Sequence, residues 1–191
     1  MNAPLAPTDR PAGFTVWLTG VKGAGKGVIA KALAAELAHR GLATELLAGG
    51  EFRQNISQGL GFSRDDRLVN TRRIGYVAKL LTRNGVAVVT TSISPYRDAR
   101  DECRQMIGRF VEVYVQAPPG LEEAEGMEEL GLTDPYEPPA APELVIVGKT
   151  EAPEASAHRI VRRLAELGYV PRDGDPDEAI VRAQLKALQD R

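Results

Sequence analysis

The sequence predicts an α/β protein, a parallel β-sheet with helices packed on both faces. Three observations carry that expectation. Short apolar runs rich in β-branched residues recur along the chain, they alternate with helix-period patterns, and the first passes through a glycine-rich turn straight into a helical stripe. At 191 residues the chain suits one domain with a proper core. A net charge of −2, with the signs interspersed, argues against a nucleic-acid partner. Cys103 stands alone, so no internal disulfide is available and a reducing, cytoplasmic setting is expected. No apolar run reaches membrane-spanning length, so no membrane partner is expected, and Met1–Gly13 lacks the apolar segment of a signal peptide.

Residues 1–12, with Pro4, Pro7 and Pro11 and little hydrophobicity, read as a flexible N-terminal arm. Phe14–Thr19 has the β-branched and aromatic composition of a buried strand, and Ile29, Leu33 and Leu37 then mark one stripe of a helix. Ala43–Leu47 is a second strand, followed by Leu47-Ala-Gly-Gly-Glu-Phe-Arg53. Ser63-Arg-Asp-Asp66 resembles a capping box with Asp in place of Glu and opens a helix to about Arg83, stopped by Asn84-Gly85. Val86–Thr91 is a third strand, delivering Ser92-Ile-Ser-Pro-Tyr-Arg97 ahead of a charged helix through Met106. Phe110–Val115 and Leu144–Val147 are the fourth and fifth strands, separated by a Pro-, Gly- and Glu-rich interval, Gln116–Pro142. Pro153–Leu167 is a helix ended by Gly168, and Asp175-Pro176 places an N-cap and an N1 proline before a last amphipathic helix. The domain is therefore expected over 13–170, with 171–191 a C-terminal helical extension. Ligands of such a sheet sit at the C-terminal ends of its strands.

The turn between the first strand and the first helix reads Gly20-Val21-Lys22-Gly23-Ala24-Gly25-Lys26-Gly27. Glycines let backbone N–H groups curl round phosphate, the helix N-terminus adds partial positive charge, and Lys26 is the lysine that reaches the outer phosphates. With both flanks of the right type the loop is expected to bind, or to descend from one that bound, a nucleotide phosphate, and the expected fold becomes a P-loop NTPase three-layer sandwich. One position departs from the pattern. Ser or Thr is required after the lysine, where its hydroxyl ligates Mg²⁺ between the β- and γ-phosphates, and Gly27 offers no ligand. Lys22 adds a second cation within the loop.

Further motifs give the chain a resemblance: Gly13-Phe-Thr-Val-Trp-Leu-Thr-Gly20, Leu60-Gly-Phe-Ser-Arg-Asp-Asp-Arg67, Asn70-Thr-Arg-Arg-Ile74, Ile93-Ser-Pro-Tyr-Arg97 and Asp134-Pro-Tyr-Glu137. From about Gly13 to about Leu167 the sequence resembles adenylyl-sulfate (APS) kinase, a P-loop phosphotransferase that moves the γ-phosphate of ATP onto the 3′-hydroxyl of adenylyl sulfate. The resemblance implies that Arg53, Arg67, Asn70 and the Ile93–Ser94 backbone help hold adenylyl sulfate and that Phe62 packs on the adenine. Family descriptions assign a phosphoserine intermediate to the serine at Ser94, which with Lys26 completes the candidate catalytic residues. Direct in-line transfer between two bound nucleotides needs no protein nucleophile. Outside these motifs Arg67, Arg72 and Arg73 would read as a solvated helix face, and Phe62 as a core aromatic.

The transfer side departs from the family at three places. Gly27 lacks the metal-binding hydroxyl. Where the family carries Asp-Gly-Asp, the register fixed by Leu47 and Arg53 puts Ala48-Gly49-Gly50, so the carboxylates expected to hold hydrated Mg²⁺ and orient the attacking hydroxyl are missing, and Glu51 lies one position off. The family's basic lid is replaced by a shorter interval with Glu122, Glu123, Glu125, Glu128 and Glu129, and no Lys or Arg occurs between Arg109 and Lys149. Acids there repel ATP phosphates. The expectation is a protein of sulfate assimilation that binds adenylyl sulfate or its 3′-phosphorylated product, with phosphoryl transfer impaired and no metal ligand of its own. The alternative is an active kinase using ATP and Mg²⁺ through a rearranged site. An ATP sulfurylase and a second copy of the chain are the candidate protein partners.

Overall fold

The computed structural model describes residues 12–118 and 136–172. The N-terminal arm, the five glutamates of the interval and the helix read from Asp175-Pro176 lie outside the described residues.

Five strands form one parallel sheet in the order β2-β3-β1-β4-β5: β1 Phe14–Thr19, β2 Thr44–Ala48, β3 Ala87–Thr91, β4 Phe110–Gln116 and β5 Leu144–Val147. β1 is central and buried throughout, which is why it reads as a continuous apolar run rather than an alternating one. Its period-2 geometry sends Phe14, Val16 and Leu18 to one face and Trp17 to the other. On the first face Ile29, Leu33 and Leu37 of α1 (Lys26–His39) meet Ile160, Val161 and Leu164 of α5 (Pro153–Glu166) in the larger core. On the second face Trp17 stacks on Phe110 at 5.6 Å between ring centroids. It packs there with Phe52 of α2 (Gly49–Asn55), Ile74 of α3 (Arg64–Thr82) and Cys103 of α4 (Arg97–Ile107). Strand–helix alternation thus produces the covered sheet that the sequence pattern implies.

Strand and helix ends fall within about two residues of the sequence reading. Ser63 is the N-cap of α3: its Oγ accepts from Asp66 N at 3.2 Å and donates to Asp66 Oδ2 at 2.7 Å. The helix α2 is the element sequence reasoning missed. Two glycines at its start have poor helix propensity, and the sequence reading assigns no element to the stretch after β2. Tertiary contacts override that preference. Phe52 is drawn into the second core, and Gly49 sits where a Cβ would lie 2.5 Å from the Thr91 carbonyl oxygen, so only glycine lets the chain turn there.

The C-terminal edge of the sheet positions the site. Gly20 leaves β1 at φ +144, and a Cβ there would stand 2.2 Å from the Val115 carbonyl oxygen of β4. Gly148, just past β5, approaches the Ala24 carbonyl so closely that no side chain fits between them. These contacts press the glycine-rich loop against the ends of β4 and β5.

Candidate functional site

A cleft of about 680 Å³ opens at this edge. Its walls come from the loop and start of α1, the start of α2, Phe62 and α3, the Thr91–Pro95 segment after β3, and Lys149 after β5. Every sequence-predicted residue for adenylyl sulfate, namely Arg53, Phe62, Arg67, Asn70, Ile93 and Ser94, lines it, and so do Lys22, Gly23, Gly25, Lys26 and Gly27 of the loop. Gly20, Val21 and Ala24 do not. They are buried beneath the loop, where they shape it. Among the described residues six that line it are basic, Lys22, Lys26, Lys31, Arg53, Arg67 and Lys149, and none is Asp or Glu. Its field is therefore strongly positive, the arrangement that draws a polyanion.

On the loop side, Lys26 Nζ donates to the carbonyl oxygens of Gly20 and Val21, both at 2.7 Å. These partners carry no charge, and burial lowers the ammonium pKa to about 8. A phosphate would supply the anion this lysine lacks. Gly27 and Gly50 both face open space, with nothing within 4 Å of an added Cβ, while Glu51 is exposed on α2 and does not reach the lining. Among the described residues no group of three or more His, Cys, Asp or Glu side chains is placed to hold a metal ion. The residues present here do not fit a protein-ligated Mg²⁺.

On the other side, Arg53 donates to the carbonyl oxygens of Leu60 and Gly61 at 3.3 and 2.8 Å, and Arg67 Nε to that of Phe62 at 2.9 Å. Both guanidinium groups lie over the Phe62 ring, 4.6 and 5.3 Å from its centroid, and the ring itself stays half-exposed toward the cleft. Burial lowers the pKa of both arginines, and for Arg67 the charge of Arg53 adds to that lowering. Two like charges held together at a cleft wall favour a bound anion. Asn70 is buried, and its Oδ1 makes no hydrogen bond within the protein, leaving an acceptor for a ligand N–H or O–H.

Ser94 forms the floor. It is buried, its φ is +42, and its Oγ accepts from Trp17 Nε1 at 3.2 Å. A left-handed conformation costs an ordinary L-residue about 1–2 kcal/mol, and the residue before a proline is steered toward extended backbone as well. Neighbours hold the turn in place. Thr19 Oγ1 donates to the Ile93 carbonyl at 2.8 Å and bonds Tyr136 Oη at 2.9 Å, and Glu137 N donates to the Pro95 carbonyl at 2.9 Å. Ser94-Pro-Tyr-Arg97 and the Tyr136-Glu137 pair, about forty residues apart, therefore meet at this floor.

Sequence reasoning missed Lys31, Thr71, Thr91, Ser92 and Lys149 in the lining. Lys149 had a readable signal: it follows Gly148 at the C-terminal end of a strand, where ligands of parallel sheets bind. Lys31 lies one turn beyond Gly27 on α1, a spacing that puts it on the same side as the loop.

A central parallel strand that turns through a glycine-rich loop into a helix, beneath a basic cleft, defines a P-loop nucleotide-binding protein. Residues 12–147 match the profile of the adenylylsulphate kinase family. The adenylyl-sulfate kinase of Rippkaea orientalis is 48% identical over 171 residues, covering 83% of this chain and 94% of its own. A probable bifunctional SAT/APS kinase of Sorangium cellulosum is 47% identical, covering 85% of this chain and 30% of the longer relative. The structure of the Mycobacterium tuberculosis APS kinase in complex with AMPPNP and APS superposes with a TM-score of 0.72 at 29% identity, over 81% of this chain and 98% of that one. The chain belongs to the adenylyl-sulfate kinase family. Among the described residues no helix is long and apolar enough to cross a membrane.

Proposed function

We propose that this protein binds adenylyl sulfate or its 3′-phosphorylated product in sulfate assimilation, and that its transfer of a phosphoryl group from ATP is impaired. The observation that carries the reading is the division of the cleft. The adenylyl-sulfate side keeps Arg53, Phe62, Arg67, Asn70 and the Ile93–Ser94 backbone together. The loop side has Gly27 and Gly50 in its lining, with Ala48 outside it at the end of β2, where the family's hydroxyl and two carboxylates would support Mg²⁺. Phosphoryl transfer is catalysed by positioning and charge neutralisation, and single charged contributors are worth about 10³-fold or more in favourable cases. Losing several together lowers turnover steeply even where the effects do not add. Lys26 supplies charge to whichever phosphate occupies the loop, and Ser94 acts through its backbone, its hydroxyl being held by Trp17. Residues 13–170 form the functional unit in this reading, with a protein that makes adenylyl sulfate as its natural neighbour, as in the fused Sorangium relative.

A second reading, a working kinase with a rearranged metal site, is favoured by the 48% identity to the Rippkaea orientalis kinase. One experiment separates the two. Purified protein is assayed for the 3′-phosphorylated product with ATP, Mg²⁺ and adenylyl sulfate, and titrated calorimetrically with each nucleotide. The proposal expects adenylyl sulfate or its product to bind more tightly than Mg·ATP, with little turnover. Turnover at ordinary kinase rates, roughly 1–100 per second, establishes the second reading instead.

A further inference from the structure

Beneath the Ser94 floor lies a buried ion-pair cluster. Arg100 of α4 is almost fully buried, and each of its three nitrogens has a separate partner. Nε donates to Glu112 Oε1 of β4 at 2.7 Å, one terminal nitrogen to the Ser94 carbonyl at 2.5 Å, and the other to the Glu137 carbonyl at 2.7 Å. Glu112 is buried too, and its second oxygen receives Arg104 at 3.3 Å, while Arg104 pairs with Glu143 at 2.6 and 2.9 Å. Glu137 Oε2 in turn accepts from Arg97 N at 2.7 Å, at the first turn of α4. A buried ion pair is weak as a source of net stability, and its best-attested use is in specifying one arrangement over others. Here the arrangement specified is the left-handed Ser94 turn, which the backbone does not favour by itself.

We infer that Arg100, with Glu112 as its counter-ion, is a positioning residue that sets the Ile93–Ser94 backbone, and so the affinity of the adenylyl-sulfate side of the cleft. It touches no ligand. It grips the carbonyl of Ser94 from below, and the planar guanidinium is what lets one side chain span Glu112, Ser94 and Glu137 together. The single nitrogen of lysine cannot do this. The adenylyl-sulfate part of the inference rests on the proposed function. The effect on Ser94 itself does not.

The chain carries its own reporter. Trp17 is the only tryptophan, and its indole N–H donates to Ser94 Oγ. The indole N–H resonance is recorded by NMR for the wild type and for Ser94→Ala, Arg100→Lys and Arg104→Lys, together with melting temperature and affinities for adenylyl sulfate and metal-free ATP. Arg100→Lys is expected to move the indole resonance in the direction taken by Ser94→Ala. It should weaken adenylyl sulfate about tenfold or more and leave ATP within about twofold. Arg104→Lys breaks the same cluster without touching Ser94, so it should lower the melting temperature and leave both the resonance and the affinities near wild type. An Arg100→Lys protein whose resonance stays in place, or which loses both ligands equally, overturns the inference. If that variant does not fold, Glu112→Gln is read by the same criteria. A wild type that fails to bind adenylyl sulfate removes the proposed function, while the indole comparison still decides whether Arg100 sets Ser94.

Discussion

The two sides of the cleft are built on opposite plans. On the side proposed for adenylyl sulfate each side chain is fixed by others: Arg53 and Arg67 by loop carbonyls and the Phe62 ring, and the Ser94 turn by Thr19, Trp17 and Arg100. On the loop side Lys26 is turned onto its own loop carbonyls, and positions 27 and 50 open on empty space. One half holds its side chains in place, and the other keeps the phosphate cradle with, among the described residues, no carboxylate in the lining. Binding geometry and transfer chemistry depend on different side chains, so the proposed function needs only one of the two to be kept.

The sharpest way to break this comparison is at Arg67. Arg67→Met removes one of two like charges, so relief of repulsion offsets the lost bond to Phe62, and the melting temperature should change little. Affinity for adenylyl sulfate should fall about 100-fold, the scale of one charge-assisted hydrogen bond lost from a desolvated site. A calorimetric titration showing undiminished binding would place the anion elsewhere.

A smaller effect is expected from rebuilding the loop side. In the wild type, Mg²⁺ should change ATP affinity by less than about twofold, and Gly27→Ser alone should not alter that, since one hydroxyl cannot fix an ion whose other supports are absent. Adding Ala48→Asp and Gly50→Asp should produce a Mg²⁺-dependent gain of about tenfold. Gly27 and Gly50 have room for the new side chains. A large Mg²⁺ effect in the wild type would show a metal site formed by other groups.

The smallest effect concerns pH. Burial holds the Lys26 pKa at about 8 against an ordinary 10.5. Metal-free ATP needs the charged lysine, so its affinity should fall by up to about tenfold between pH 7 and 9, with proton uptake on binding above pH 8. The stability contribution runs the other way. Between about 8 and 10.5 the unfolded chain holds more protons at this lysine than the folded one, so here the fold gains stability as pH rises. Lys26→Met should abolish both trends, as read by calorimetry in buffers of different ionisation enthalpy and by thermal melts.

Much of this was legible along the chain. The parallel sheet followed from β-branched runs alternating with helical stripes, and the phosphate loop from glycines at fixed offsets between a strand and a helix. These signals are local, so a linear reading recovers them. The missing hydroxyl at Gly27 and the missing carboxylates at Ala48 and Gly50 were equally plain, being absences at positions a motif defines. Other features depended on packing between distant segments. The helix α2 exists because Phe52 finds the second core and Gly49 fits against Thr91, against its own propensity. Lys149 reaches the cleft because Gly148 lets β5 close on the loop. Arg100 read as one charge on a charged helix, and only the tertiary structure joins it to Glu112, Ser94 and Glu137. The sequence by itself determined the elements other than α2 and which chemical groups are present. Which groups face one another was decided by the three-dimensional packing of strand ends, since contacts across 12 and 37 residues of chain leave no periodic trace in the sequence.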